Sequence, residues 1–153
     1  MSETDDKEKK ELSFGKIITE EQFKKEPIIP DEIKKGIQKT PFYLLIFIPG
    51  EKQVKMNLFP TGTRSIKKIL VKLTQFSPAI VKDISDVLKD MNEHMIHTTG
   101  ICFAQNPIGC FYETYINMTN ISKDQMESVR KRLVQVPSVL KFDVLSISGA
   151  GDK

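Results

Sequence analysis

The stretch TQFSPAIVKDISDVLKDMNEHMIHTTGICFA, residues 74–104, gathers most of the residues that could do chemistry in this chain. Ser77 stands where a helix N-cap belongs. Pro78 takes the first helical position, where its missing N–H leaves nothing unpaired. Amide N–H groups left over at such a helix start form an anion site by geometry. Ala79 comes next, and its methyl narrows the approach that a glycine would open. Further on, His94, His97, Cys102 and Cys110 invite a metal reading. Two histidines three apart on one strand point to opposite faces, and they converge only if His94 still belongs to the helix end. Cys102 and Cys110 lie symmetrically about Asn106, so a hairpin could set them face to face as a zinc pair or a disulfide. The spacing fits no standard zinc pattern, and buried free thiols with a surface histidine are the plainer reading. No metal and no cofactor is expected. A nucleophile set of Cys102, His97 and Asp83 can be drawn, but nothing in the spacing singles it out. No glycine-rich loop precedes a helix to cradle phosphate. The chain is therefore expected to be non-enzymatic, with no catalytic residues.

Composition narrows the field further. The chain has 153 residues, 39% of them apolar, which suits one domain with some excess. Residues 1–12 carry eight charged side chains and almost nothing to bury. Such a segment cannot offset its ordering entropy and reads as disordered. Net charge is +3, with −1 over residues 1–40 and +2 over 66–148. Neither segment is the concentrated basic surface that nucleic acid demands. The polar, acidic start is no secretory signal, and the longest apolar run, FYLLIFI at 42–48, is strand-sized. No membrane association is expected. Two cysteines without a leader suggest a reducing, cytoplasmic setting.

The elements that must position these residues follow from periodicity. Residues 1–40 read as a disordered or docking arm, within which Thr19 and Gln22 form a capping-box pattern and Pro27 and Pro30 interrupt. Residues 41–65 read as an appended β-hairpin. FYLLIFI suits a strand covered on both faces. In QVKMNLF, Val54, Met56 and Leu58 alternate with Lys55 and Asn57. From residue 66 to 148 the order is clearest. Ile69, Val71 and Leu73 alternate with Lys68, Leu70 and Lys72 on a strand. Ile80, Ile84, Val87, Leu88 and Met91 then form one helical stripe. MIHTTGICFA and CFYETYINM make a hairpin around a turn at QNPIG. A second helix opens at Ser122, with Gln125 completing a capping box and Ile121 able to staple onto Met126. Its stripe is Met126, Val129 and Leu133, with Val136 at the end and Pro137 as the stop. VLKFDVLSI alternates as a last strand. Strand, helix, strand, strand, helix, strand predicts an α+β, ferredoxin-like βαββαβ sandwich over 66–148, with the extra N-terminal hairpin ahead of it.

Within that segment, FSPAIVKDISDVLKDMN, HMIHTTGICF and QMESVRKRLVQVPSVLKFDVLSI resemble the first helix, second strand and second helix of an ACT domain, the ligand-sensing regulatory module of amino-acid metabolism. VKMNLFPTGTRSIKKILVKL resembles the corresponding part of stand-alone archaeal ACT-like proteins. The resemblance implies an allosteric module that binds a small effector, such as an amino acid, between the two domains of a homodimer joined through a sheet edge or face. It places ligand contacts at Gln75, Phe76, Ser77, Pro78, Ala79 and Ile80. Gln75, Ser77 and the amides after Pro78 would hold a carboxylate, and Thr98 and Thr99 would add hydroxyls. The family usually has an acidic or polar residue before the turn and Pro-Gly within it. Here alanine follows the proline.

Two other readings use the same fold. An RNA-recognition module shares the strand order, and Phe111, Tyr112 and Tyr115 could stack bases. Ile108 and Glu113 stand against it, where basic or neutral residues belong. A scaffold that pairs its sheet face with a protein partner, and binds nothing small, is the third.

Overall fold

The computed structural model describes residues 11–102 and 109–151, with the backbone alone at 92, 93, 101 and 102. The chain divides into two compact units. Among the described residues the first holds Glu11, Leu12 and residues 67–145, and the second holds Ser13–Ile66 and residues 146–151. No described helix is long and apolar enough to cross a membrane.

The first unit is built on strands β4 (Ile66–Leu73), β5 (Met95–Cys102), β6 (Cys110–Asn117) and β7 (Val139–Ser146). Helix α3 (Pro78–Leu88) continues into a 3-10 turn, Lys89–His94, before β5, and α4 (Lys123–Leu133) joins β6 to β7. The sheet order is β5-β6-β4-β7. With two βαβ crossovers this is the antiparallel ferredoxin-like arrangement of an α+β fold. Ile69, Val71 and Leu73 of β4 pack with Ile80, Ile84, Val87, Leu88 and Met91 and with Val129, Leu133 and Val136 in one core. Both helical stripes therefore lie on the same face of the sheet, as periodicity requires of a strand alternating every second residue.

Local signals set the helix ends. Ser77 Oγ accepts the Ile80 N–H at 3.2 Å. Ser122 Oγ accepts from Gln125 N at 3.1 Å, and Gln125 Oε1 accepts from Ser122 N at 2.8 Å. This second pair is a complete capping box, worth roughly 1 kcal/mol over alanine. Helix α4 ends at Leu133, short of Pro137, and Val136 is reached through a turn whose N–H bonds to Leu133 O.

The other face of the sheet carries a buried charge cluster. Lys68 Nζ lies 3.6 Å from Glu113 and also contacts Glu11, and both Lys68 and Glu113 side chains are 1% exposed. Glu113 accepts the Leu12 N–H, and Lys68 stands over the Tyr115 ring at 5.8 Å. Leu12, Leu70 and Phe111 cluster beside it.

The second unit corrects the reading of residues 13–40 as an arm. Phe14–Thr19 is strand β1, and it pairs antiparallel with β2 (Phe42–Pro49), which pairs with β3 (Val54–Thr61). Between β1 and β2 lie two one-and-a-half-turn helices, α1 (Glu20–Lys25) and α2 (Asp31–Gly36). Ile18, Phe23, Ile29, Tyr43 and Leu45 form a core of their own, with the Phe23 and Tyr43 rings stacked at 4.0 Å. The apolar side chains of 13–40 gain a core once β2 collects them. Tyr43–Ile46 are buried in succession, as expected of a strand covered on both faces. Val54 and Met56 are exposed instead, so the half-buried pattern of β3 begins only further along the strand.

Lys68→Met should cost about 3–5 kcal/mol in denaturant unfolding, because it removes the cation that faces the buried Glu113 carboxylate. Lys68→Met with Glu113→Leu should cost less than the two single changes added together, by at least about 1 kcal/mol. Additive losses would show that the pair is not coupled. Gly109, at φ +81°, packs so closely on the Leu73 carbonyl that a Cβ there would collide with it. Gly109→Ala should lose about 2 kcal/mol or more in the same measurement.

Candidate functional site

Strand parity sorts the expected site residues into two groups. In the β5–β6 register Thr98 faces Thr114 and Gly100 faces Tyr112. Cys110, Tyr112 and Ile116 belong to the helix-side core, so Thr98, Gly100 and Thr114 share that side. Thr99 pairs with Glu113 and His97 with Tyr115, on the opposite side. Thr98 and Thr99 therefore cannot contact one ligand together.

On the helix side a row of hydroxyls is linked. Thr98 Oγ1 and Thr114 Oγ1 lie 3.0 Å apart. Thr98 also hydrogen-bonds the Tyr112 side chain. Burial pushes the Tyr112 phenol above its ordinary value, and the Thr98 hydrogen bond pulls partly the other way. Tyr112 thus stays protonated and able to donate throughout the physiological range. Phe76 closes one end. Its ring lies so near Gly100 that a Cβ built there would be 3.0 Å from Phe76 Cζ. Thr98 and Gly100 are both exposed, and Phe76 is half-buried, so the row is open to small molecules.

The turn 75–80 contributes less than its pattern promised. Gln75, Pro78 and Ala79 are exposed, but Ile80 is a core residue. At the helix start Ser77 Oγ takes the Ile80 N–H, and Ser77 O takes the Val81 N–H at 3.0 Å. Pro78 has no N–H. Of the amides just after Pro78, Ile80 and Val81 are thus taken and the Ala79 N–H is left to meet a carboxylate, where several were expected.

The other constellations separate. His94 ends the 3-10 turn, and His97 follows a bulge in β5 and bonds Thr99 Oγ1 through Nε2 at 3.0 Å. Asp83 is exposed on α3, across the sheet from His97, so the drawn nucleophile set does not assemble. Cys110 is disulfide-bonded and lies opposite Cys102 in the register, which corrects the expectation of free thiols. Among the described residues no three His, Cys, Asp or Glu side chains gather as a metal group. Phe111 and Tyr115 are each 1% exposed and Tyr112 faces the helices, so the three aromatics do not form the stacking platform an RNA module would use. The QNPIG turn lies largely outside the described residues. The Thr98–Tyr112 link was not read from the sequence. Only a register pairing Gly100 with Tyr112 reveals it, and that register is tertiary information.

No protein-family profile and no curated protein matches the chain. Two solved structures are similar in fold. The uncharacterized protein TM1266 from Thermotoga maritima has 14% identity and a TM-score of 0.40, covering 52% of this chain and 96% of its own. A protein from Chloroflexus aurantiacus J-10-fl that carries the name antibiotic biosynthesis monooxygenase has 11% identity and a TM-score of 0.34, covering 57% and 98%. The second is named as an enzyme, so the comparisons do not bear out the expectation that this chain is non-enzymatic. The likeness is one of fold, and it assigns no reaction and no catalytic residue.

Tyr112 gives a pH prediction. A phenol whose folded pKa is raised binds its proton more tightly folded than unfolded. Stability is then full below the unfolded value, about 10, and is lost as pH rises through the folded value. Urea unfolding between pH 9 and 11.5 should show a shallower alkaline loss for Tyr112→Phe than for the wild type. Parallel curves would contradict the buried, Thr98-linked placement of the phenol.

Proposed function

We propose that the first unit is an ACT-like, small-molecule-binding module whose site is the helix-side row of Thr98, Gly100 and Tyr112 beside Phe76. The observation that carries this reading is the Phe76 ring seated over Gly100, next to a phenol kept protonated and hydrogen-bonded to Thr98. An amino acid with an apolar side chain suits these groups. Its side chain would lie against Phe76, and its carboxylate would take the Ala79 N–H and the hydroxyls of Thr98 and Tyr112. Thr99, on the other side of β5, and Ile80, in the core, are left out of this site.

Regulation would follow from dimerisation. In the sheet order β5 and β7 are the edge strands. A homodimer formed through one of them would let the effector favour one arrangement of the two copies by its differential affinity.

The test is a thermal-shift screen of the twenty amino acids, followed by calorimetry on the best of them, with the mass in solution measured by light scattering. Saturable binding of an apolar or aromatic amino acid is expected. Thr98→Val and Tyr112→Phe should each weaken it about five- to tenfold, the value of one hydrogen bond. Ala79→Arg, at an exposed position, should abolish it without unfolding the chain. If none of the twenty binds, or if these variants bind as the wild type does, the reading is wrong.

A further inference from the structure

The second unit has a cleft that the reading above does not use. Its volume is about 340 Å³, and Lys16, Thr19, Gln22, Phe42, Arg64 and Ser148 line it. Among the described residues two cations and no carboxylate line this space. Among the described residues neither Lys16 nor Arg64 has an ion-pair partner, although salt bridges form elsewhere on the same unit at Lys24–Glu20 and Lys25–Glu21.

The cleft is held in shape by the backbone. Ile17 N donates to Ser148 O at 2.7 Å, and Lys16 pairs with Ser148 in a parallel bridge. The segment after β7 is thereby fixed along β1. Gly151 N donates to Arg64 O at 2.9 Å, so the same segment anchors the arginine backbone. The guanidinium stands over the Phe42 ring at 5.7 Å, which limits its freedom before any ligand arrives. Neutral donors surround the cations. Thr19 and Gln22 are tied to each other in the α1 capping box through Thr19 Oγ1 and Gln22 Oε1. That arrangement uses the Gln22 oxygen and leaves its side-chain N–H₂ as a donor. The Ser148 hydroxyl is another.

From this lining we infer that the second unit binds a phosphate monoester dianion, with Arg64 and Lys16 as its charged contacts and Gln22 and Ser148 as hydrogen-bond donors. Two cations match the charge of about −1.5 to −2 that a monoester carries at pH 7. The planar fork of Arg64 can grip two phosphate oxygens at once, whereas Lys16 acts as a point charge. The volume falls at the small end of ligand sites and so suits a small phosphorylated metabolite rather than a polymer.

Calorimetry on the full chain at constant ionic strength tests this, with inorganic phosphate, methyl phosphate and acetate as probes. Inorganic and methyl phosphate should bind saturably, and acetate at least about tenfold more weakly. Arg64→Gln should weaken methyl phosphate binding about tenfold, and Lys16→Gln about threefold. Both side chains are exposed, so both variants should stay folded, Lys16→Gln with the wild-type melting temperature and Arg64→Gln with a drop no larger than the loss of its Phe42 contact accounts for. The amino-acid binding proposed for the first unit should be unchanged in both, which separates failure of one site from failure of the other. No binding of methyl phosphate, equal binding of acetate, or full affinity in both variants would overturn the inference.

Discussion

Two aliphatic stripes pressed onto a single face of one sheet hold the first unit in shape. Strand β4, between β6 and β7, supplies the middle of that contact through Ile69, Val71 and Leu73. Sliding its register by one residue would turn Lys68 and Lys72 into the core and the aliphatic residues out of it. The positions of β6 and β5 beside it are therefore fixed as well. The chemistry of the site follows from that order. Strand β5 lies at the edge of the sheet, and its helix-side residues Thr98 and Gly100 are exposed. A polar row can survive there because it is not required to fill a core. Phe76 reaches Gly100 only because the chain leaves β4 and enters α3 at that end of the sheet.

The opposite face has a different solution. Lys68 and Glu113 meet almost fully buried, joined by Glu11 and the Leu12 N–H. A buried ion pair contributes little net stability compared with an apolar pair of the same shape. Its asymmetry matters more, since removal of Lys68 takes the shared cation from both Glu113 and Glu11. Residues Glu11 and Leu12 are tied to β6 by the same contacts, although they precede the rest of the unit by more than fifty positions.

Much of this was legible in the sequence, and the legible parts share a cause. Caps and stripes are local. Thr19 with Gln22, Ser77 with Pro78, and Ser122 with Gln125 mark three helix starts within four residues of chain, and all three form the expected bonds. The stripes of α3 and α4 are likewise set by spacing alone, and together with β4 they gave the ferredoxin-like order. What could not be read is long-range. Phe14–Thr19 looks weak as a strand because its partner, β2, lies about 30 residues on. Lys68 looks like a solvated residue in an alternating strand, and only the adjacent position of Glu113 on β6 makes its burial tolerable. Tyr112 looked equivalent to Phe111 and Tyr115 until register sent it to the other face. The turn at 75–80 was located correctly, but its supply of free amides depended on Ser77 using its own side chain and carbonyl.

The central claim is that the helix-side row at β5 and β6, and not the opposite face of the same strands, receives a small ligand. An amide NMR spectrum of the ¹⁵N-labelled chain, recorded with and without an amino-acid mixture, addresses it directly. Shifts gathered at Phe76, Ala79, Thr98, Gly100 and Tyr112 are the result this account predicts. A spectrum that does not change, or one whose changes fall on Thr99, Glu113 and Tyr115, would contradict it.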